Sequence, residues 1–382
     1  MRPMVKPALR RAWRARQTVQ FGVTPAHAVS IGPVDTATGA LLERLDGSRD
    51  LDLLRADART MGLPDGLAES LVRRLTAAGL IDDASSGGPA AEALRRRRDA
   101  LDRLRPDAAS LSVVDPEPGG GLRRLAVRRG LRVRVRGAGR VGASVAALLS
   151  AAGVGGVEVL DGGCTEPGDV TPGGLPAGAV GERRDLSARR LVRRAAPGRP
   201  PRSSPGGGGD LPGEPGLALV VVCPRDGLGA YVPDPLPAAD WIAGGVPHLY
   251  AGVVEATGVV GPLVLPGGTA CASCMELART DRDPGWPRLL AQWRSGGRRV
   301  PVPACELSLA STVAGLAAAH ALSFLDGELP LTAGARWETS LPLLDWRREP
   351  LAPHPRCVCG AYRKSEGDDT PGPPGSHERM AG

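Results

Sequence analysis

The stretch LRVRVRGAGRVGASVAALLSAAGVGGVEVLD, residues 131–161, constrains the chain more than any other. LRVRVRG alternates apolar and charged residues as a strand does, and stops at a glycine. VGASVAALLSAAGV has the apolar spacing of a helix and ends in glycines, and GVEVLD reads as a second strand. Strand, turn, helix and strand within about thirty residues form a βαβ unit, which favours a parallel sheet. The turn holds Gly137, Gly139 and Gly142 in a G-x-G-x-x-G spacing. Glycine permits the tight reversal and lets backbone N–H groups approach a phosphate, and the helix N-terminus adds roughly half a positive charge. Asp161 ends the second strand, where a carboxylate can accept hydrogen bonds from ribose hydroxyls. NAD and ATP both fit this arrangement, and the same turn can also be kept for packing alone.

A second constellation lies in the last third. TACASCMEL carries Cys271 and Cys274, and PHPRCVCGAY carries Cys357 and Cys359. Four thiolates in two close pairs can surround a tetrahedral Zn2+, and such a closed site is structural. The long apolar stretch LSLASTVAGLAAAHALSFLDG lies between the pairs, so the metal would staple the C-terminal segment back onto the sheet. His354 stands three residues before Cys357 and can replace one thiolate. Two unbound reduced pairs, or one redox pair, remain the alternatives. Cys164 and Cys223 read as ordinary cysteines.

Ahead of the βαβ unit the pattern differs. TVQFGV and HAVSIG alternate like short strands. GALLERL, LDLLRADA and AESLVRRLTAAGLI carry apolar residues at helical spacing, and the third of these would turn Leu71, Val72, Leu75 and Leu80 inward. Two strands followed by three short helices suggest a winged-helix module over residues 1–85. Residues 86–122, rich in Gly, Pro and Ser, read as a linker with one helix, and 123–362 as the main domain. LALVVVC, 217–223, is apolar throughout, as a buried parallel strand is. The low-complexity stretch 194–216 is expected to be a mobile loop, and 363–382 a disordered tail.

Composition removes several function classes. The net charge is +7 over 382 residues, and Lys6 and Lys364 are the only lysines. Arginine-rich runs such as LRRRRDALDRLR alternate with acids and read as solvated helix faces. Aromatic residues make up 3% of the chain, too few for base-stacking platforms, so no nucleic-acid partner is expected. Apolar runs are read as shorter than the roughly 18 residues of a membrane span, and the N-terminus lacks a signal core. A cytoplasmic protein without a membrane partner is expected, its cysteines reduced.

Taken together, these motifs resemble the ThiF/MoeB/E1-like superfamily over roughly residues 125–360. The resemblance rests on the glycine turn, on Asp161, and on AGAVGERRDLSARRLV, similar to the segment with the family's phosphate-binding lysine. It continues through LALVVVCPRDG, similar to the strand ending in the magnesium-binding aspartate. VVEATGVVGPLVLPGGTACASC, the long helix and the closing cysteines complete the order. It implies an α/β Rossmann-like, mainly parallel sheet with helices on both faces. It also implies a nucleotidyltransferase that activates the carboxylate of a peptide or small carrier protein with ATP and Mg2+. Gly137, Gly139, Gly142 and Asp161 would then hold nucleotide. Arg183 or Arg184 would stand for the lysine, and Asp226 for the magnesium ligand, although Arg225 occupies the aligned place. Cys305 falls loosely where some members carry a transferable-thiol cysteine. A homodimer is expected because E1-like sheets commonly pair.

LLERLDGSRDLDLLRADARTMGLPDGLAESLVRRLTAAGLIDD is in turn similar to PqqD-like winged-helix modules, the RiPP recognition elements, which bind leader peptides by adding a strand to a sheet edge. Fused to an E1-like domain, that module implies a second function: a non-catalytic leader-peptide scaffold for a YcaO-type modifying enzyme. An NAD-dependent oxidoreductase would leave the cysteine pairs unexplained.

Overall fold

The computed structural model describes residues 1–198, 216–295 and 302–367. Most of the stretch 194–216, and the tail beyond residue 367, lie outside the described residues. The chain divides into two compact units. One takes in Met1–Leu131, Ser150–Gly156 and residues 196–198; the other is built from Arg132–Leu149, Val157–Ala195 and the described residues from 216 onward.

In the first unit, β1 (Pro3–Val5) pairs antiparallel with β5 (Ile81–Asp83). The strands β2 (Arg11–Ala15), β3 (Thr18–Phe21) and β4 (Val29–Ile31) form an antiparallel sheet in the order β2-β3-β4. Three helices follow: α1 (Thr36–Leu42), α2 (Leu51–Thr60) and α3 (Leu67–Ala77). The first two begin where an aspartate satisfies an orphan amide. Asp35 accepts from Thr38 N at 2.7 Å and Asp50 from Leu53 N at 3.0 Å. Phe21, Leu41, Leu54, Leu71, Val72, Leu75, Leu80 and Ile81 meet in one core. Leu80 reaches it from beyond the end of α3. Where a linker with one helix is expected, Gly88–Arg95, Arg98–Val114 and Gly120–Arg128 are all helical, and Leu94, Leu104 and Leu125 share a small core.

The second unit is built on seven strands. These are β6 (Arg132–Arg136), β7 (Gly156–Leu160), β8 (Leu217–Val222), β9 (His248–Val254), β10 (Thr257–Val264), β11 (Ala335–Ser340) and β12 (Arg347–Pro350). Their order is β12-β11-β10-β9-β8-β6-β7. β8 runs parallel to β6 and β9, while β9, β10, β11 and β12 pair antiparallel in sequence. The sheet is therefore mixed rather than mainly parallel. The reversal is local: Glu255 and Ala256 both take positive φ, 47° and 61°, and join β9 to β10 as a two-residue hairpin. Arg134 on β6 donates to Glu158 on β7 at 2.7 Å.

Close approaches of glycine seat the helices on this sheet. A Cβ at Gly258 on β10 would lie 2.6 Å from Val313 of the helix Leu307–Leu325, and one at Gly252 on β9 would lie 2.7 Å from Ala230 of the helix Leu228–Tyr231. The helix Leu307–Leu325 corrects one expectation. It has 19 residues and a mean hydropathy of 1.5, long and apolar enough to cross a bilayer by length and composition. The run holds no charged residue, and small and apolar side chains such as Leu309, Val313, Ala314, Ala317 and Ala321 form its buried face.

Candidate nucleotide cradle and cysteine centre

The glycine turn sits where β6 ends and the helix Arg140–Ala151 begins. Gly137 has φ +103°, and a Cβ there would fall 1.8 Å from the Cys223 carbonyl. Its N–H donates to Leu160 O at 2.8 Å, and Cys223 N donates to Arg136 O at 2.7 Å. A Cβ on Gly142 would lie 2.1 Å from Gly137 O. Both glycines are thus demanded by the packing of turn, strand and helix. Gly139 is different: its open side faces Arg225, whose Cγ would lie 3.2 Å from a Cβ.

Asp161 lies at the mouth of this turn. One carboxylate oxygen accepts from Ala138 N at 2.5 Å and the other from Arg184 Nε at 2.9 Å. The Arg184 guanidinium, 11% exposed, also donates to Gly162 O and Cys164 O, and reaches Asp169 at 3.5 Å. Asp169, 3% exposed, accepts from Arg225 Nε at 2.7 Å and from Glu166 N at 2.9 Å. Arg225 pairs in addition with Glu166, and its pKa is raised, chiefly by the hydrogen bond to Asp169. Asp161, Arg184, Asp169, Arg225 and Glu166 form one continuous chain of acid–arginine contacts beside the glycine turn.

Two other candidates face elsewhere. Arg183, just ahead of the helix Arg184–Ala195, is two-thirds exposed and pairs with Asp185 in its first turn at 3.0 Å, which raises the pKa of Arg183. Asp226 accepts from Leu228 N at 3.0 Å and closes a local turn. The structure brings together Arg184, not Arg183, and Arg225, not Asp226, with Gly139 and Asp161. Asp169 was not singled out from sequence. Its signal was faint: one aspartate in a Gly- and Pro-rich loop, TEPGDVTPGG. Cys305 is partly buried, its carbonyl accepts from Arg140 at 2.8 Å, and burial raises the pKa of its thiol.

The two cysteine pairs meet. Cys271 precedes the helix Ala272–Arg282 and Cys274 lies in its first turn. The Sγ separations are 3.8 Å for Cys271–Cys274 and 3.6 Å for both Cys271–Cys357 and Cys274–Cys359, and all four lie within 4.8 Å of one another. A tetrahedron with Zn–S bonds of about 2.3 Å has S–S edges of about 3.8 Å, so the four thiols could hold one such ion. The Cys274 thiol is drawn down to about 5 by its hydrogen bond with Cys271, helped by the His354 amide, while Cys271 is pushed up by the same bond and by burial. His354 turns its ring away: Nε2 meets Asp281 at 3.0 Å, and only its backbone N–H points to Cys274, at 3.4 Å. It stands behind the thiols as an outer support.

No protein-family profile and no curated protein matches the chain. Solved structures do. Escherichia coli MccB crystallised with succinimide is 16% identical, with a TM-score of 0.65 over 94% of this chain and 99% of MccB. MccB with ATP is 16% identical, with a TM-score of 0.64 over 94% and 99%. Selenomethionine PaaA is 17% identical, with a TM-score of 0.64 over 90% of this chain and 98% of its own. At such identity the likeness concerns the fold. The chain shares the α/β fold of MccB across nearly its whole length.

Proposed function

We propose that this chain is a peptide-binding protein of the E1-like fold that does not adenylate, and that it presents a precursor peptide to a separate modifying enzyme of the YcaO type. The observation that carries this reading is Arg225. Its side chain lies over Gly139 and its guanidinium is bound to Asp169, at the aligned place of the magnesium-binding aspartate. Mg2+ takes oxygen ligands, and a guanidinium there repels it. Asp161, the expected ribose ligand, already has both oxygens engaged. Arg184, at the lysine position, is spent on two carboxylates and two carbonyls instead of standing ready for phosphate. These residues do not fit MgATP.

Peptide binding draws support from two sides. In the first unit three short helices follow the strands, four where two were expected, and that arrangement supports a leader-peptide module. MccB, described as a microcin C7 biosynthetic enzyme, has been crystallised with N-formylated MccA and with selenomethionine MccA, a partner that carries an amino-acid residue. We assign the four-cysteine centre to structural zinc, closing the end of the second unit.

Adenylation remains the competing reading, favoured by the intact glycine turn and by MccB crystals that contain ATP. ATP–pyrophosphate exchange separates the two. We expect no exchange with any precursor peptide and no heat of MgATP binding, while peptide binds without nucleotide. Peptide-dependent exchange would overturn the proposal.

A further inference from the structure

The helix Trp286–Arg294, WPRLLAQWR, belongs to the second unit and takes no part in the glycine turn or the cysteine centre. Residues three, four and seven apart share a helix face, so Trp286, Leu289, Leu290 and Trp293 form one apolar stripe. The core uses only one edge of it. Leu290 is buried, whereas Leu289 is 42% and Trp293 50% exposed. The two indoles meet edge to face, with ring centres 5.7 Å apart.

A ladder of arginines and aromatic rings seats this helix. The Arg279 guanidinium lies 5.0 Å from the Trp286 ring and 4.7 Å from the Tyr231 ring, and that of Arg336 lies 4.3 Å from Tyr231. Tyr231 O accepts from Arg279 at 3.2 Å and from Arg336 at 3.0 Å. Each such cation–ring contact contributes about 0.5–2 kcal/mol, so Trp286, and Trp293 against it, are held in place before any partner arrives. Arg294 ties the far end of the helix to Val232 O and Pro233 O, both at 3.4 Å. The rim is cationic. Arg282, Arg288 and Arg294 are exposed, and among the described residues none of them forms an ion pair. The sequence holds no acid between Gly285 and Glu306. Asp283, just before, accepts from Gly285 N at 2.9 Å and closes the turn into the helix.

We infer that the outer face of the helix Trp286–Arg294 docks a second protein through an acidic amphipathic helix, which lays apolar side chains on Leu289 and Trp293 and its carboxylates against Arg282, Arg288 and Arg294. This names the contact made by the separate modifying enzyme and rests on the scaffold reading above. Charge selects the occupant. A second copy of this chain, paired about a two-fold axis, would set these arginines against themselves. A bilayer needs a larger apolar face than Leu289 and two indoles supply. The backbone of a helix is satisfied internally, so an extended segment finds no main-chain groups to pair with, and side-chain packing on a helix face is what remains. Fixed tryptophans beside arginine are the composition of interface hot spots. The nine residues span about 13 Å, so two to three turns of the partner cover them.

The test uses the full chain and a fluorescein-labelled peptide, Glu-Leu-Leu-Glu-Glu-Ala-Leu-Glu-Glu-Leu-Leu-Glu, followed by anisotropy. We expect micromolar binding, weakened about tenfold or more by Trp293→Ala and by Arg288→Glu, with unchanged circular dichroism because both side chains are exposed. Trp13→Ala removes an exposed indole from the first unit and should leave binding unchanged. A copy with proline at its centre should lose binding, a lysine-for-glutamate copy should not bind, and affinity should fall as salt rises from about 50 to about 300 mM. Binding that is indifferent to Trp293→Ala and Arg288→Glu, or that is lost in Trp13→Ala, would overturn the docking face. So would phosphatidylserine vesicles that bind through Trp293 where the peptide does not. Absence of peptide binding overturns the docking face alone; the scaffold reading falls only to peptide-dependent pyrophosphate exchange.

Discussion

Arg225 Nε donates to the Asp169 carboxylate at 2.7 Å, and the acceptor is almost wholly buried beside the glycine turn. A buried carboxylate without its cation is costly, whereas an exposed arginine pair is worth little. This pair lies between those limits, because Arg225 is one-third exposed and Asp169 is not. Arg225→Ala is expected to destabilise the chain by about 2 kcal/mol, read as a lower urea midpoint. Arg225→Lys should recover only part of the loss, since one ammonium cannot serve Asp169 and Glu166 as a planar fork does. In the double variant with Asp169→Asn, most of the cost should vanish. Equal losses in the single and double variants would show that the ion pair is not the source.

The glycines of the turn should separate by role. Gly137→Ala places a methyl 1.8 Å from Cys223 O at φ +103° and should cost about 3 kcal/mol or more. Gly139→Ala meets the flexible Arg225 side chain at 3.2 Å and its Cα at an ordinary contact distance of 3.6 Å, and its cost should stay within about 1 kcal/mol. A nucleotide cradle would make Gly139 the functionally sensitive position. We expect thermal melts to rank the two variants and MgATP to shift neither melt.

What the sequence made legible was local and periodic. The βαβ unit announced itself because Val133 and Val135 alternate with arginines and because three glycines stand at fixed spacing, and LALVVVC was readable as a buried strand from composition alone. The cysteine centre was legible because pairs at close spacing limit the geometry. The antiparallel half of the sheet was not. Its reversal uses Glu255 and Ala256 at positive φ, where Asn-Gly would have been the recognisable signal. β11, ARWETS, has too few apolar residues to stand out. The three helices between residues 88 and 128 hid among glycines that mark the starts of two of them, Gly87 and Gly119, and behind a proline, Pro106, inside the third. At the cradle, the pairing of Arg184 with Asp161 across 23 residues, and of Arg225 with Asp169 across 56, was set by tertiary approach that no spacing rule exposes.

His248 gives the fold a dependence on acid. It is fully buried on β9 between Trp241 and Tyr250, at ring distances of 5.3 and 5.5 Å, and its Nδ1 meets Val246 O at 3.2 Å. Its Nε2 has no hydrogen-bond partner among the described residues. Burial lowers its pKa from 6.5 to about 4. Between those values the unfolded chain binds the proton and the folded chain does not, so stability is complete above pH 6.5 and falls toward pH 4. The difference corresponds to about 3 kcal/mol. Comparison of urea midpoints for the native chain and His248→Leu from pH 7 to 4 isolates this contribution. The native chain should lose the larger amount, and parallel curves would contradict the assignment.

The cysteine centre leads to the last expectation. Four sulfurs already at tetrahedral spacing lose little freedom when an ion enters, and the free energy of binding becomes free energy of folding for the segments they tie together. We expect about one zinc per chain by elemental analysis, and a lowered melting temperature after chelation. Cys357→Ser should reduce zinc content and resemble the chelated protein. His354→Ala should keep the ion, because its ring faces Asp281 and not the sulfurs, yet bind it more weakly for want of that outer support. Acid should release the metal, since each ligand must be a thiolate. A preparation free of zinc that melts at the same temperature as the loaded one would show that the sulfurs meet for packing alone. Equal loss of zinc in His354→Ala and Cys357→Ser would instead make the histidine a ligand.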